Sequence, residues 1–457
     1  MAMKILFASM PADGHFNPLT GVAEHLARAG HDVRWYAGPA YGAKLDRLGM
    51  RHFPYRRATE VTGGNIHRLY PERAALKGPK LIAFDLEKYF VTNVDQHFQD
   101  IVEIRSEFAF DVFFCDGAMY VEKLIAEVLQ IPVLATGISA VLPGDGGPPP
   151  FFGLRPARTV IGRTTHAVVR RMLTSTMRPG VTTYNEILAG YGIAPLPPDG
   201  FPHLPMASAR RLLLDGTPGL EFPGYRSPAN AEFVGPLVPA RAALGPGPEA
   251  TLPPQVLEPG APVVVVSQGT VDNADQDKLL VPTLTALSDQ PYVVVATTGG
   301  VGTERLRKRF PAPNVVIEDF VNYTDLFPHA DVFVTSGGYG STVAALRHGV
   351  RVVGAGKREG KNDINARIGY NKLGIDLRTE RPRPARIRAA VHRVLHDPEI
   401  DAGVAGISAE FESYHPMVAI ESALRDLTPA AGPRDPVRRR DSLPSRAFQA
   451  ELHDGQR

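Results

Sequence analysis

The chain has 457 residues, 44% hydrophobic and 21% charged, enough to bury large cores and to form two domains. Lys and Arg number 50 against 48 for Asp and Glu, and a formal charge of +2 supplies no field that would imply a nucleic-acid partner. The single cysteine, Cys115, precludes an intrachain disulfide and points to a reducing compartment, and no short-spaced Cys and His cluster offers a metal site.

Residues 1–8 lack the long apolar core of a signal peptide, and no later run reaches the roughly 18 to 20 apolar residues of a membrane span. A cytoplasmic protein with no stable membrane insertion is expected; contact with a lipid-like acceptor at a membrane surface stays open, because that needs only a patch. A strand is predicted over 5–9, then a loop, a helix entered at Asn17-Pro18, a stop at Gly30 and a strand over 33–36. Asparagine accepts from orphan helix N–H groups and proline suits the first helical position. A strand over 111–115 follows, then a helix ending near Gln130 and a strand over 133–136. Two stretches, 57–80 and the Pro-rich 143–150, interrupt this unit, and loops of that length at strand ends often carry specificity. Strands alternating with helices mean a parallel sheet covered on both faces.

Over 236–262 the composition shifts to Pro, Gly and Ala, where neither helix nor ladder can run far. We read 1–237 as a first Rossmann-like domain, 238–262 as a linker and 263–410 as a second, with a helix over 411–427 and a disordered, Arg-containing tail over 428–457. In the second unit strands are predicted over 263–267, 292–296, 314–317, 331–334 and 352–354, with a helix near 275–287. The fold class is therefore α/β: two facing doubly wound domains with an interdomain cleft and ligands at the carboxyl ends of the strands.

One such end is Thr335-Ser336-Gly337-Gly338-Tyr339-Gly340-Ser341, between an apolar strand and a helix start. A helix N-terminus leaves N–H groups unpaired, and glycines let a phosphate approach the main chain. A tight connection needing glycine for its backbone angles would look the same. In the first unit His15 follows the first strand and Asp116 ends another, so both can face one crevice. The histidine could take a proton near neutral pH with the carboxylate holding its tautomer. A hydrogen-bonded loop histidine and a helix-capping Asp116 are the plainer alternative. No Gly-x-Ser-x-Gly elbow and no Gly-x-x-x-x-Gly-Lys-Ser/Thr loop is present.

Together these motifs resemble those of the inverting, UDP-sugar-dependent glycosyltransferases of the GT-B fold, in particular the macrolide and natural-product branch. The resemblance runs from Lys4 to Leu427. It is carried by Gly14-His15-Phe16-Asn17-Pro18, Val266-Ser267-Gln268-Gly269-Thr270, Phe320-Val321-Asn322-Tyr323 with Leu326, Ala330 to Thr335 with the glycine turn, and His348-Gly349-Val350.

The resemblance implies a hexosyltransferase in which His15, paired with Asp116, deprotonates an acceptor hydroxyl that attacks the anomeric carbon and inverts it. It implies donor contacts from Gly14, from Ser267, Gly269 and Thr270 near the phosphates, and from Ser336, Gly337, Gly338, Gly340 and Ser341 at the pyrophosphate. Phe320 would stack on the uracil and Val321 main chain would read its edge. No cofactor and no metal would be required, the nucleotide sugar being a co-substrate. The acceptor would be a hydrophobic polyketide, phenolic or lipid-like molecule, walled by Phe16, Met119, Tyr120 and Phe151, with Trp35 and the rest of the 143–152 loop as further candidates. Three positions depart from the family: Ser336 where a phosphate-contacting histidine is common, Ala344 where a ribose-binding glutamate is common, and Glu359 in an altered sugar-contacting segment. A UDP-sugar epimerase and a non-catalytic relative are the alternative readings.

Overall fold

The computed structural model describes residues 2–138, 147–198, 206, 208–244, 252–257, 260–269, 273–358 and 360–427. The tail read over 428–457, part of the 143–150 loop and part of the linker lie outside them. Seven parallel strands form the first sheet: β1 Lys4–Ala8, β2 Asp32–Ala37, β3 Arg51–Pro54, β4 Val112–Asp116, β5 Val133–Gly137, β6 Arg211–Asp215 and β7 Ala231–Gly235, in the order β3-β2-β1-β4-β5-β6-β7. Six more form the second: β8 Val263–Ser267, β9 Val293–Thr297, β10 Val315–Glu318, β11 Val332–Thr335, β12 Arg351–Gly354 and β13 Gly374–Asp376, in the order β10-β9-β8-β11-β12-β13. Strands such as Val-Val-Val-Val-Ser in β8 are buried along their whole length, because helices cover both faces of a parallel sheet.

Side chains alternate faces along a strand, so Leu6 and Ala8 of β1 join one core while Ile5 and Phe7 join another on the opposite face. The order in which strands are added to each sheet reverses beside its first strand, between β1 and β4 and between β8 and β11. At such a switch point the flanking loops diverge and open a crevice at the carboxyl ends of the strands.

The helix after β1, here α1, spans Asp13–Arg28 and starts five residues before the predicted entry at Pro18, which lies inside it. Ala12 carbonyl accepts from His15 and Phe16 N–H at 2.9 Å each, and Asp13 supplies a carboxylate to the first turn. Pro18 removes one donor, whose would-be acceptor is the carbonyl of exposed Gly14, so the helix tolerates it.

Further on, the long helix α2, Val160–Gly190, was not anticipated; its C-terminal half buries Leu173, Met177, Val181, Tyr184 and Leu188. In the second unit α3 spans Tyr339–Arg347 and α4 spans Lys361–Tyr370. The last helix, α5 Pro416–Arg425, returns to the first unit, where Ile420, Ala423 and Leu424 join the core around β1.

The two units are bolted together. Leu220, after β6, is buried in the core of the second sheet, and Arg367 of α4 makes an ion pair with Glu221 at 2.7 Å with the pair 13% and 3% exposed. Tyr339 hydroxyl donates to Asp215 carbonyl at 2.6 Å, and Asn371 Nδ2 donates to Leu220 carbonyl at 2.9 Å. A second clasp joins the segment after the Pro-rich loop to α4: Asp363 accepts from Phe151 and Gly153 N–H, and Asn362 Nδ2 donates to Phe151 carbonyl at 2.7 Å.

Candidate active site at two sheet switch points

Each switch point carries one half of the site. At the first, His15 lies in the first turn of α1 and Asp116 is the last residue of β4. His15 Nδ1 stands 2.9 Å from Asp116 Oδ2, an ion-pair contact that falls short of good hydrogen-bond geometry; the side chains are 26% and 1% exposed. Asp116 is fixed from its own side, Oδ2 accepting from Met10 N–H at 3.3 Å and Oδ1 from Ala118 N–H at 3.0 Å. It does not cap the following helix, which begins at Glu122. Burial opposes charge on the imidazole, but the Asp116 carboxylate outweighs it and leaves the His15 pKa above its ordinary 6.5. Glu122 is wholly buried, and burial pushes its carboxyl well above the usual carboxylate range.

The helical start explains which neighbours join His15. Successive helix residues are about 100° apart, so pointing His15 at Asp116 turns Phe16 away. Phe16 is wholly buried on the far face, its ring 4.7 Å from Trp35 and 4.5 Å from Tyr41. Phe16 and Trp35 are thus core residues, a correction to their reading as acceptor walls. Met119 and Tyr120 are likewise almost wholly buried, in the core that includes Leu6 and Ala8. The aromatic ring beside His15 is one the sequence reading missed: Phe90, 6.4 Å away, itself tilted against Tyr120 at 6.0 Å. Its signal was the Tyr89-Phe90 pair just beyond the 57–80 interruption. Phe151 is partly buried with φ +71, its backbone held by the Asp363 clasp. Gly14 is exposed, with open space where a Cβ would stand.

At the second switch point Ser267 ends β8 and pairs in register with Thr335 of β11, which sets their loops side by side. Ser267 Oγ accepts from Gly269 N–H at 3.3 Å, with Gly269 at φ +87. Ser336, almost buried, donates its hydroxyl to Gln268 carbonyl at 3.1 Å, tying the two loops together. Gly337 has φ +98, and a Cβ there would stand 2.6 Å from Asn365 Oδ1, so both the angle and the space demand glycine. Gly338 is the N-cap of α3, and no side chain caps the first N–H groups of that helix, which an α-helix leaves without intrahelical partners. Gly340 is exposed with open space around it, and Ser341 Oγ donates to Gly338 carbonyl at 3.2 Å within its own turn.

Asn365 was not singled out from sequence, yet it organises this turn. Wholly buried on α4, it donates Nδ2 to Ser336 carbonyl at 3.3 Å and to Gly356 carbonyl at 3.2 Å. Phe320 presents an aromatic ring that is 66% exposed, beside Gly300, and Val321 packs against the core that holds Phe327 and Phe333. The basic segment before α4 is pinned rather than free: Lys357 N–H donates to Glu380 at 2.8 Å and Arg358 N–H at 3.1 Å. Thr270 and Glu359 lie outside the described residues. Among the described residues no group of three His, Cys, Asp or Glu side chains could hold a metal ion, and no helix is long and apolar enough to cross a membrane.

The arrangement sets a histidine backed by a buried carboxylate at one switch point and, at the other, a helix end, glycine turn and exposed aromatic ring suited to a nucleoside diphosphate. A family model described as Erythromycin biosynthesis protein CIII-like, C-terminal domain, matches residues 284–420. The 4'-demethylrebeccamycin synthase of Lentzea aerocolonigenes is 31% identical over 425 residues, covering 92% of this chain and 98% of its own. The crystal structure of the glycotransferase of kitacinnamycin aligns with TM-score 0.71 at 20% identity, over 94% of this chain and 100% of its own. The Streptomyces sp. SF2575 glycosyltransferase SsfS6 complexed with thymidine diphosphate aligns with TM-score 0.65 at 17% identity, over 93% and 99%.

Proposed function

The chain belongs to the natural-product glycosyltransferases of the GT-B fold within the UDP-glycosyltransferase family, and from that premise we propose an inverting hexosyl transfer in which His15 is the general base. It is a hexosyltransferase; the proposal concerns how it works and on what. His15 takes the proton of an acceptor hydroxyl, Asp116 stabilises the imidazolium that forms, and the oxygen attacks the anomeric carbon on the face opposite the nucleotide. The observation that carries this reading is the 2.9 Å approach of His15 Nδ1 to the buried Asp116 carboxylate. The far ring nitrogen is then left to meet the acceptor.

On the donor side the leaving diphosphate sits at the start of α3, where the unpaired N–H groups and helix dipole meet its charge without a metal. Phe320 stacks on the base and Val321 main chain reads its edge. Because the hydroxyl protons of Ser336 and Ser341 are engaged within the protein, backbone N–H groups supply most of the phosphate contact. Ser267, Gly269 and Thr270 approach the same phosphates, and Glu359 the sugar. The donor nucleotide is UDP by family resemblance, with dTDP as the competitor, since a structural relative was crystallised with thymidine diphosphate. The acceptor is a hydrophobic molecule entering past the partly buried Phe90 and Phe151. Epimerisation and a non-catalytic role are not favoured by relatives that are named as synthases and transferases.

A donor panel scored by thermal shift, followed by NMR of the glycosylated product, tests this. UDP or dTDP sugars should raise the melting temperature, and the product linkage should be inverted relative to the donor. Retention of configuration would refute a single displacement.

A further inference from the structure

The N-terminal half of α2 has no role in either switch-point site. From residue 146 to residue 185 the chain has no Asp or Glu and six arginines: Arg155, Arg158, Arg163, Arg170, Arg171 and Arg178. The C-terminal half of α2 is anchored, its Tyr184 hydroxyl donating to Tyr120 carbonyl at 2.8 Å. The N-terminal half projects, with Val160 68%, Ile161 80%, Val168 63% and Met172 38% exposed. Ile161, Val168 and Met172, at i, i+7 and i+11, form one stripe along the helix; exposed Arg171 lies beside it, and exposed Arg163 and Arg170 stand on the opposite face.

We propose that this half of α2 is a docking element for the surface of an anionic lipid bilayer. An exposed apolar stripe with arginines on the remaining face and no carboxylate has the composition of a helix that lies in the headgroup layer, its apolar side chains in the acyl boundary and its guanidinium groups among the lipid headgroups. The helix cannot cross the bilayer, and the surface reading does not require it to. Charge decides against a second copy as occupant: the projecting half carries Arg163, Arg170 and Arg171 and no carboxylate, and two copies laid together would meet with like charge. The buried half of α2 packs against the segment Leu86–Val91 that carries Phe90, so docking would bring the His15 side of the first unit to the membrane. This inference stands on the surface of α2 and does not rest on the transfer chemistry.

Co-sedimentation of the full chain with vesicles tests it, comparing phosphatidylcholine alone with equal parts phosphatidylcholine and phosphatidylglycerol at low and at physiological salt. Binding is expected only to the anionic vesicles and is expected to weaken with salt. Ile161→Ser with Val168→Ser, and separately Arg163→Gln with Arg170→Gln and Arg171→Gln, should each lower partitioning by about tenfold or more. Both variants should keep the wild-type melting temperature and transfer to a dissolved acceptor. A third variant, with Arg438, Arg439 and Arg440 each changed to Gln, controls for the basic run near the C-terminus. Any of three results would overturn the proposal: no binding to anionic vesicles at low salt, binding that survives both helix variants or is lost only in the third, or a wild-type dimer that the Ile161→Ser variant converts to monomer.

Discussion

At the scale of single residues the proposed mechanism turns on His15 and what holds it. Replacement by Ala should lower kcat/KM by about 10² to 10⁴, the range of a lost general base, with nucleotide affinity by calorimetry unchanged. The pH profile carries the sign of the pairing. The base must be neutral to act, and its pKa is raised, so the acidic limb of kcat/KM should lie above pH 6.5. Asp116→Asn removes the raising influence and leaves burial to lower the pKa, so the limb should move to lower pH while the rate falls. An unmoved limb would mean that another group titrates. Asn365 is the second critical residue. Its loss should loosen the Ser336 and Gly356 carbonyls and weaken nucleotide binding by about tenfold, as expected for two modest hydrogen bonds. His15 and Asp116 were legible because each follows a recognisable strand. Asn365 was not, because its work is done by geometry across a turn that lies 29 residues away in sequence.

Among the elements, α1 shows how a local rule is overridden. Asn17-Pro18 has the chemistry of a helix entry, yet packing of Phe16, Leu19 and Val22 extends the helix back to Asp13. That extension aims His15 into the cleft and Phe16 into the core. In α2 the thirteen-residue stretch 160–172 with its Gly162 and threonines, and Pro179 beyond it, argued against a helix. The signal that could have found it was the spacing of Leu173, Met177, Val181, Tyr184 and Leu188 along one face. Strands β3 and β13 are short edge strands of four and three residues, too brief for a period to declare itself. The clasp between the two units is testable. Asp363→Ala leaves the Phe151 and Gly153 N–H groups without their acceptor, and should lower stability by about 1 to 3 kcal/mol and raise the acceptor KM. An unchanged melting temperature would show the clasp to be dispensable.

For the whole molecule, the alternation of strands and helices was enough to predict two doubly wound units, while the contacts that join them were not legible, since they depend on residues such as Leu220, Glu221 and Arg367 meeting across the fold. Asp215 sits at that junction, 1% exposed, with burial pushing its carboxyl up to about 7 and only partly offset by the Leu237 and Gly216 N–H groups. An acid whose folded pKa is raised binds more protons folded than unfolded. Stability should therefore fall as pH rises from about 4 to about 7. Asp215→Asn should flatten that slope and raise the melting temperature at neutral pH; an unchanged slope would assign the pH dependence elsewhere. The central claim is that the two switch points act as one transferase with His15 as its base. Its most direct test is nucleoside diphosphate release, with and without acceptor, from the wild type and from His15→Ala. Release that requires acceptor and falls about 10² to 10⁴ in the variant is the expected result; release indifferent to acceptor, or equal in the two proteins, would contradict it.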